Sequence, residues 1–160
     1  MPDKVYWDAC AWLGLINSEP GKVPALEYFF GLAKRGQLEI WTSALSYVEV
    51  FHIASETQPY EKEGVDAIKE VIQAPFVKTI ALDMEVGTKA RGLRRNHNLK
   101  AADSIHIASA LIKSVSPLHT WDHDDILPLD NTLSCKDLSN LRIIVPQIPP
   151  PPPGTLPFGV

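Results

Sequence analysis

Four acidic side chains, Asp8, Glu49, Asp103 and Asp122, each border an apolar run, where a carboxylate needs a reason. Carboxylate oxygens are the ligands that hard divalent cations prefer. One or two such cations can generate a nucleophilic water and cover the charge of a phosphodiester under attack. Without a cation, two carboxylates about 5 Å apart repel by roughly 3 kcal/mol at an effective dielectric of 20. If these acids converge, the cluster makes more sense occupied than empty.

Each acid also has a plain local explanation. Asp8 closes the run Val5-Tyr6-Trp7-Asp8, and an Asp there would cap the helix that follows. Glu49 shares a helical face with Leu45 and Ile53, while Ser46-x-x-Glu49 matches a capping box. A helix starting at Thr42 or Ser43 would instead put Glu49 inside it, facing the sheet edge. Asp103 opens the segment Lys100 to Leu111, on one face with Ile107, Ala110 and Leu111. The helix dipole would favour an acid there by about 0.3 to 1 kcal/mol, but does not explain the small Ala101 and Ala102 beside it. In His119-Thr120-Trp121-Asp122-His123-Asp124-Asp125, three acids fall within four positions, which repel unless solvated or bound to a cation. A zinc set of His119, Asp122 and His123 is discounted, because four residues of strand span roughly 13 Å.

Elements able to present these acids follow from the pattern. Val5 to Trp7, Leu38 to Thr42, Phe76 to Leu82, Leu118 to Trp121 and Ile143 to Val145 read as strands. Between them, Pro24 suits a first helical turn ahead of Leu26, Phe29, Phe30 and Ala33, and Val65, Ile68, Val71 and Ile72 repeat the helical spacing before Pro75. Alternating strands and helices imply an α/β fold with a mainly parallel sheet. Ligands of such sheets bind beyond the carboxyl ends of the strands.

At 160 residues and 45% apolar composition, the chain suits one domain, placed at 1–146. Seven of the 14 prolines follow Leu141, and the run Pro149 to Pro153 marks 147–160 as an extended tail. The start lacks a signal-peptide core and no run reaches membrane-span length, so a cytoplasmic protein is expected. Cys10 and Cys135 have no paired spacing and are expected to be reduced, buried small residues. A net charge of −4 argues against general nucleic-acid coating, yet Lys89, Arg91, Arg94, Arg95 and Lys100 form a basic stretch without an acid. That stretch is either a solvated helix face or a local dock for a polyanion.

The ordered set of Asp after the first strand, Glu early in a helix after Thr42-Ser43, Ala101-Ala102-Asp103 opening an Ala-rich helix, and Thr120-x-Asp122 after a late strand resembles the PIN-domain family over residues 4 to 146. The resemblance implies a three-layer α/β/α fold that gathers Asp8, Glu49, Asp103 and Asp122 around Mg²⁺ or Mn²⁺, with Asp8, Asp103 and Asp122 as the metal ligands. It implies an endoribonuclease leaving 5′-phosphate and 3′-hydroxyl ends, and, as in VapC-like toxins, an antitoxin partner and a possible homodimer. Glu49 would orient or deprotonate the attacking water, and Thr120 would hydrogen-bond a ligand. Asp124 and Asp125 are helper candidates, and Arg94, Arg95 and Lys100 are candidates for gripping the RNA backbone. Ala9-Cys10 departs from the small hydroxyl or amide residue that family members often carry after the first acid. That departure keeps a second reading open, a weakened PIN-like module that acts as a binding partner.

Two other acid-bearing classes fit less well. Haloacid-dehalogenase-type phosphatases need a second Asp two residues after the first, where this chain has Cys10. Response-regulator receivers need a phosphoacceptor Asp after a central strand and a late Lys, contexts that Asp83 and Lys113 do not fill.

Overall fold

The computed structural model describes residues 2–57, 60–151 and 153–154. Five strands, β1 (Asp3–Trp7), β2 (Leu38–Ser43), β3 (Val77–Ile80), β4 (Leu118–His119) and β5 (Ile143–Ile144), form one sheet in the order β3-β2-β1-β4-β5. Every pairing is parallel, with Val5 beside Ile40 and Tyr6 beside both Trp41 and Leu118. Parallel neighbours require crossovers, and helices supply them. The helices are α1 (Ala9–Ile16), α2 (Val23–Lys34), α3 (Ser46–Glu49), α4 (Lys62–Ile72), α5 (Met84–His97) and α6 (Ala101–Lys113).

Side-chain alternation along β1 sorts the layers. Val5 and Trp7 join Trp12, Leu26, Ile68 and Ile72 in a core under α1, α2 and α4. Tyr6 points to the opposite face, where Val86, Leu93, Ile107 and Leu111 of α5 and α6 form a second core. Because a strand's neighbours face opposite ways, both faces of β1 must be apolar, and the buried run Val5-Tyr6-Trp7 follows. The result is a three-layer α/β/α arrangement.

Polar atoms inside the first core are paired. Thr42 Oγ1 donates to the Trp7 carbonyl at 2.7 Å, accepts from Trp12 Nε1 at 3.0 Å and lies 2.8 Å from Ser46 Oγ. Trp7 Nε1 donates to His119 Nδ1 at 3.1 Å. Burial holds that imidazole's pKa down to about 4, so the ring is neutral at pH 7. His119 is thus a core residue, while His123 is exposed.

Two expectations need correcting. Neither the Ser46-x-x-Glu49 capping box nor a helix starting at Thr42 or Ser43 forms: those two residues end β2, Leu45 holds the cap position of α3 with no side-chain hydrogen bond, Ser46 turns to Thr42, and the Glu49 side chain turns to His106. Cys135 is buried as expected, but Cys10 is exposed, because in the first turn of α1 the core takes Ala9, Ala11 and Trp12 instead. Of the proline run, Pro152 lies outside the described residues, as do residues 155–160 of the expected tail. Among the described residues no helix is long and apolar enough to cross a membrane.

Candidate metal centre

The chain moves from β1 outward through β2 and β3, then crosses back to place β4 and β5 on the other side of β1. The sheet therefore has its topological switch between β1 and β4, and a crevice at their carboxyl ends is where this class of fold binds ligands. Asp8 follows the end of β1. Asp122 lies three residues past the end of β4.

Asp8 is buried, and its Oδ1 accepts the Ala11 backbone N–H at 3.1 Å, capping α1. The second carboxylate oxygen takes no hydrogen bond among the described residues, so capping leaves it available. Burial raises the Asp8 pKa. The nearby His106 and the Ala11 N–H pull it down, while Asp103 and Glu49 push it further up. Asp8 thus feels two other members of the expected quartet.

Asp103 sits in the first turn of α6 and is half-buried. Its pKa is also raised, first by burial and then by Asp122; His106 and Lys100 oppose this and Asp125 adds to it. Asp122 is held by its own turn. Its backbone N–H donates to the buried Thr120 Oγ1 at 3.2 Å, and its Oδ1 accepts from the backbone N–H groups of Asp124 at 3.1 Å and Asp125 at 2.9 Å. This wrapping brings Asp125 back over the site. Asp103, Asp122 and Asp125 each present a carboxylate oxygen, and the three oxygens lie within 4.8 Å of one another.

Asp8 and Glu49 are outside that tight trio, and Asp124 lends it a backbone N–H rather than its carboxylate. Glu49 is reached from α6, where His106 Nε2 lies 2.5 Å from Glu49 Oε1. Sequence reading missed His106 and ranked Asp125 only as a helper. His106 stands three positions after Asp103 on the same helix, a spacing that puts two side chains on one face. That spacing was the available signal.

The basic candidates separate. Lys100, in the cap position of α6, is close enough to lower the Asp103 pKa. Arg94 Nε donates to the Leu99 carbonyl at 3.1 Å and so closes the turn between α5 and α6. Arg95 is exposed in the last turn of α5. A groove of about 830 Å³ between α5, α6 and residues 134–138 contains none of the candidate site acids. Asp8 and Asp122 instead follow the carboxyl ends of the central strands β1 and β4.

A PIN-domain family model matches residues 5–126. The chain belongs to the PIN-domain family. The fold is similar to that of VapBC2 from Rickettsia felis, solved bound to a DNA fragment from its promoter, with a TM-score of 0.63 at 13% identity over 90% of this chain and 99% of that one. A toxin-antitoxin complex from Klebsiella pneumoniae aligns with a TM-score of 0.53 at 18% identity, over 76% of this chain and 88% of that one. VapC20 from Mycobacterium tuberculosis, described as a sarcin-ricin loop cleaving toxin, gives 0.55 at 13% identity over 75% of this chain and 91% of that one. No curated protein matches this chain significantly. At such identities the structural likenesses establish a shared PIN fold.

Proposed function

We propose that this chain is an endoribonuclease dependent on Mg²⁺ or Mn²⁺, acting as the toxin of a toxin-antitoxin pair. The observation that carries the proposal is the trio Asp103, Asp122 and Asp125, with oxygens within 4.8 Å of one another at the switch point of a PIN fold. An all-oxygen donor set fits a small hard cation and gives little purchase to softer metals. Asp8, Asp103 and Asp122 would hold the cation, Asp8 through the oxygen that capping leaves free. When bound, the cation acidifies water and neutralises charge on the attacked phosphate.

The residues of this chain would do the remaining work. Glu49 is about a quarter exposed, with one oxygen held by His106 and the other free to orient the attacking water and take its proton. Asp125 would help fix the cluster's geometry. Lys100 would meet an RNA phosphate at the rim, with the exposed Arg95 as a second candidate. Thr120 sits beneath the site and fixes the Asp122 turn. In-line attack at phosphorus would then leave 5′-phosphate and 3′-hydroxyl ends. The family, and a fold shared with toxin-antitoxin complexes, support an antitoxin as the partner.

The test is cleavage of end-labelled RNA by wild type and Asp103→Asn, with Mn²⁺ and with chelator. The proposal requires Mn²⁺-dependent cleavage that Asp103→Asn abolishes with the fold intact. Equal turnover in chelator, or equal turnover by the mutant, would overturn it. Metal binding with no cleavage of any RNA would instead favour the binding-module reading that Ala9-Cys10 keeps open.

A further inference from the structure

Among the described residues, His106 is the side chain that hydrogen-bonds Glu49 to the interior. Only 3% of it is exposed, and both ring nitrogens are engaged. Nε2 meets Glu49 Oε1 at 2.5 Å, and Nδ1 meets the Tyr6 hydroxyl at 2.7 Å. These contacts span 57 and 100 residues of sequence. They tie α3, α6 and β1 together at a point beside the acids.

The chemistry of the partners sets the direction of both hydrogen bonds. A carboxylate can only accept, so Nε2–H donates to Glu49. Tyr6 is fully buried in β1, and a phenol carries its proton at neutral pH. Its hydroxyl therefore keeps its proton and can donate to Nδ1. A neutral imidazole protonated at Nε2 satisfies all three groups. Glu49, which can only accept, fixes the Nε2–H tautomer, and the Tyr6 hydroxyl completes it by donating to Nδ1.

Glu49 needs such a partner. Its helix is four residues long, has no side-chain cap and makes no capping box with Ser46. Glu has three rotatable bonds, and nothing in α3 fixes them. A hydrogen bond to an ionised acceptor is about twice as strong as a neutral one and is geometrically selective.

We propose that His106 is a positioning residue that, backed at Nδ1 by the Tyr6 hydroxyl, holds the Glu49 carboxylate aimed at the acidic cluster. This rests on the nuclease reading, because aiming matters only if Glu49 handles the water. Residues that orient a working ligand typically contribute about 10- to 100-fold to activity.

Single-turnover RNA cleavage with Mn²⁺ should therefore slow about 10- to 100-fold in His106→Ala, with RNA affinity and Mn²⁺ affinity near wild type. His106→Gln, which keeps a donor near Nε2, should recover part of the loss. Tyr6→Phe tests the same relay if His106→Ala does not fold, and should also slow cleavage. The decisive comparison is the double mutant His106→Ala/Glu49→Gln, which should be no slower than Glu49→Gln alone. Losses that multiply would overturn the proposal, since a merely structural His106 would act independently of Glu49.

A readout without turnover uses ¹⁵N-labelled, metal-free protein. His106 should carry its proton on Nε2, protected from solvent, with a resonance that shifts in Glu49→Gln. A proton on Nδ1, or an Nε2 signal indifferent to Glu49→Gln, would also overturn the proposal. If wild type cleaves no RNA, the nuclease reading fails, while the spectrum still decides whether the clamp exists.

Discussion

Replacing Asp103 by Asn should make the metal-free protein more stable while destroying its activity. The oxygens of Asp103, Asp122 and Asp125 lie within 4.8 Å of one another. Two unit charges at that separation repel by roughly 3.5 kcal/mol at an effective dielectric of 20 and by roughly 1 kcal/mol in water. Asp125 is exposed and the other two are half-buried, so the screened end of that range applies, about 1 kcal/mol per pair. Asp103 takes part in two such pairs, and neutralising it relieves about 2 kcal/mol. Against this, the first turn of α6 loses a favourable negative charge worth about 0.3 to 1 kcal/mol. The net gain is about 1 kcal/mol, or roughly 2 to 4 °C in melting temperature for a chain of this size.

Metal should invert that order. With free Mn²⁺ at about 100 times its dissociation constant, wild type gains roughly 2.7 kcal/mol by mass action. Asp103→Asn, lacking a ligand, should gain much less and fall below wild type. Differential scanning calorimetry in chelator and in Mn²⁺, at constant ionic strength, reads both halves of the crossing. A mutant less stable than wild type in chelator would refute the repulsion argument, and an equal Mn²⁺ shift in both proteins would refute the site.

Three further outcomes are expected. His119 titrates near 4 in the folded protein and near 6.5 when unfolded, so its contribution is intact above about pH 6.5 and is lost as pH falls toward 4, by about 3 kcal/mol in total. Urea unfolding of wild type between these values should show this loss, and His119→Gln should show a flatter dependence; equal slopes would mean that burial of the neutral ring is not what resists acid. Thr42→Val should cost about 1 to 3 kcal/mol, because it leaves the buried Trp12 Nε1 without its acceptor, and a change under about 0.5 kcal/mol would show that the site can repack. Ca²⁺ should raise the melting temperature without supporting cleavage, since oxygen ligation suffices for binding while turnover also needs water of suitable acidity and geometry; cleavage with Ca²⁺ at the Mn²⁺ rate would contradict this.

The layered fold was legible because its signals are local. Val5 to Trp7 is apolar without a break, as a strand buried on both faces must be, and Pro24 lies at the start of α2. Element ends were less legible, because competing local bonds decide them. The run Leu118 to Trp121 looks like a four-residue strand, yet regular pairing stops at His119, and Thr120 begins to organise the Asp122 turn. Phe76 to Leu82 shortens to Val77–Ile80 because this edge strand must give way to Asp83, which caps α5 by accepting the Val86 N–H at 2.9 Å. Neither the sheet order nor the crossover between β3 and β4 can be read from periodicity, since both depend on contacts between distant segments.

The candidate site shows the same division more sharply. Whether Asp8 caps a helix or faces the acids looked like a choice between explanations, yet one carboxylate has two oxygens, and Oδ1 alone serves Ala11. A cap signal in sequence is therefore no evidence against a second role. For Glu49 the local signal misled, because Ser46-x-x-Glu49 is only a possibility for the backbone to use, and a buried imidazole 57 residues away supplies a donor to its carboxylate instead. His106 itself was hidden by its surroundings. Flanked by Ile105 and Ile107 on an Ala-rich helix, it has the appearance of a core residue, and by burial it is one. What distinguishes it is that a buried imidazole must find partners for both nitrogens. Here they are a phenol with a raised pKa on one side and a carboxylate on the other, so the demand for buried polar partners itself links the core of β1 to the rim of the acidic cluster.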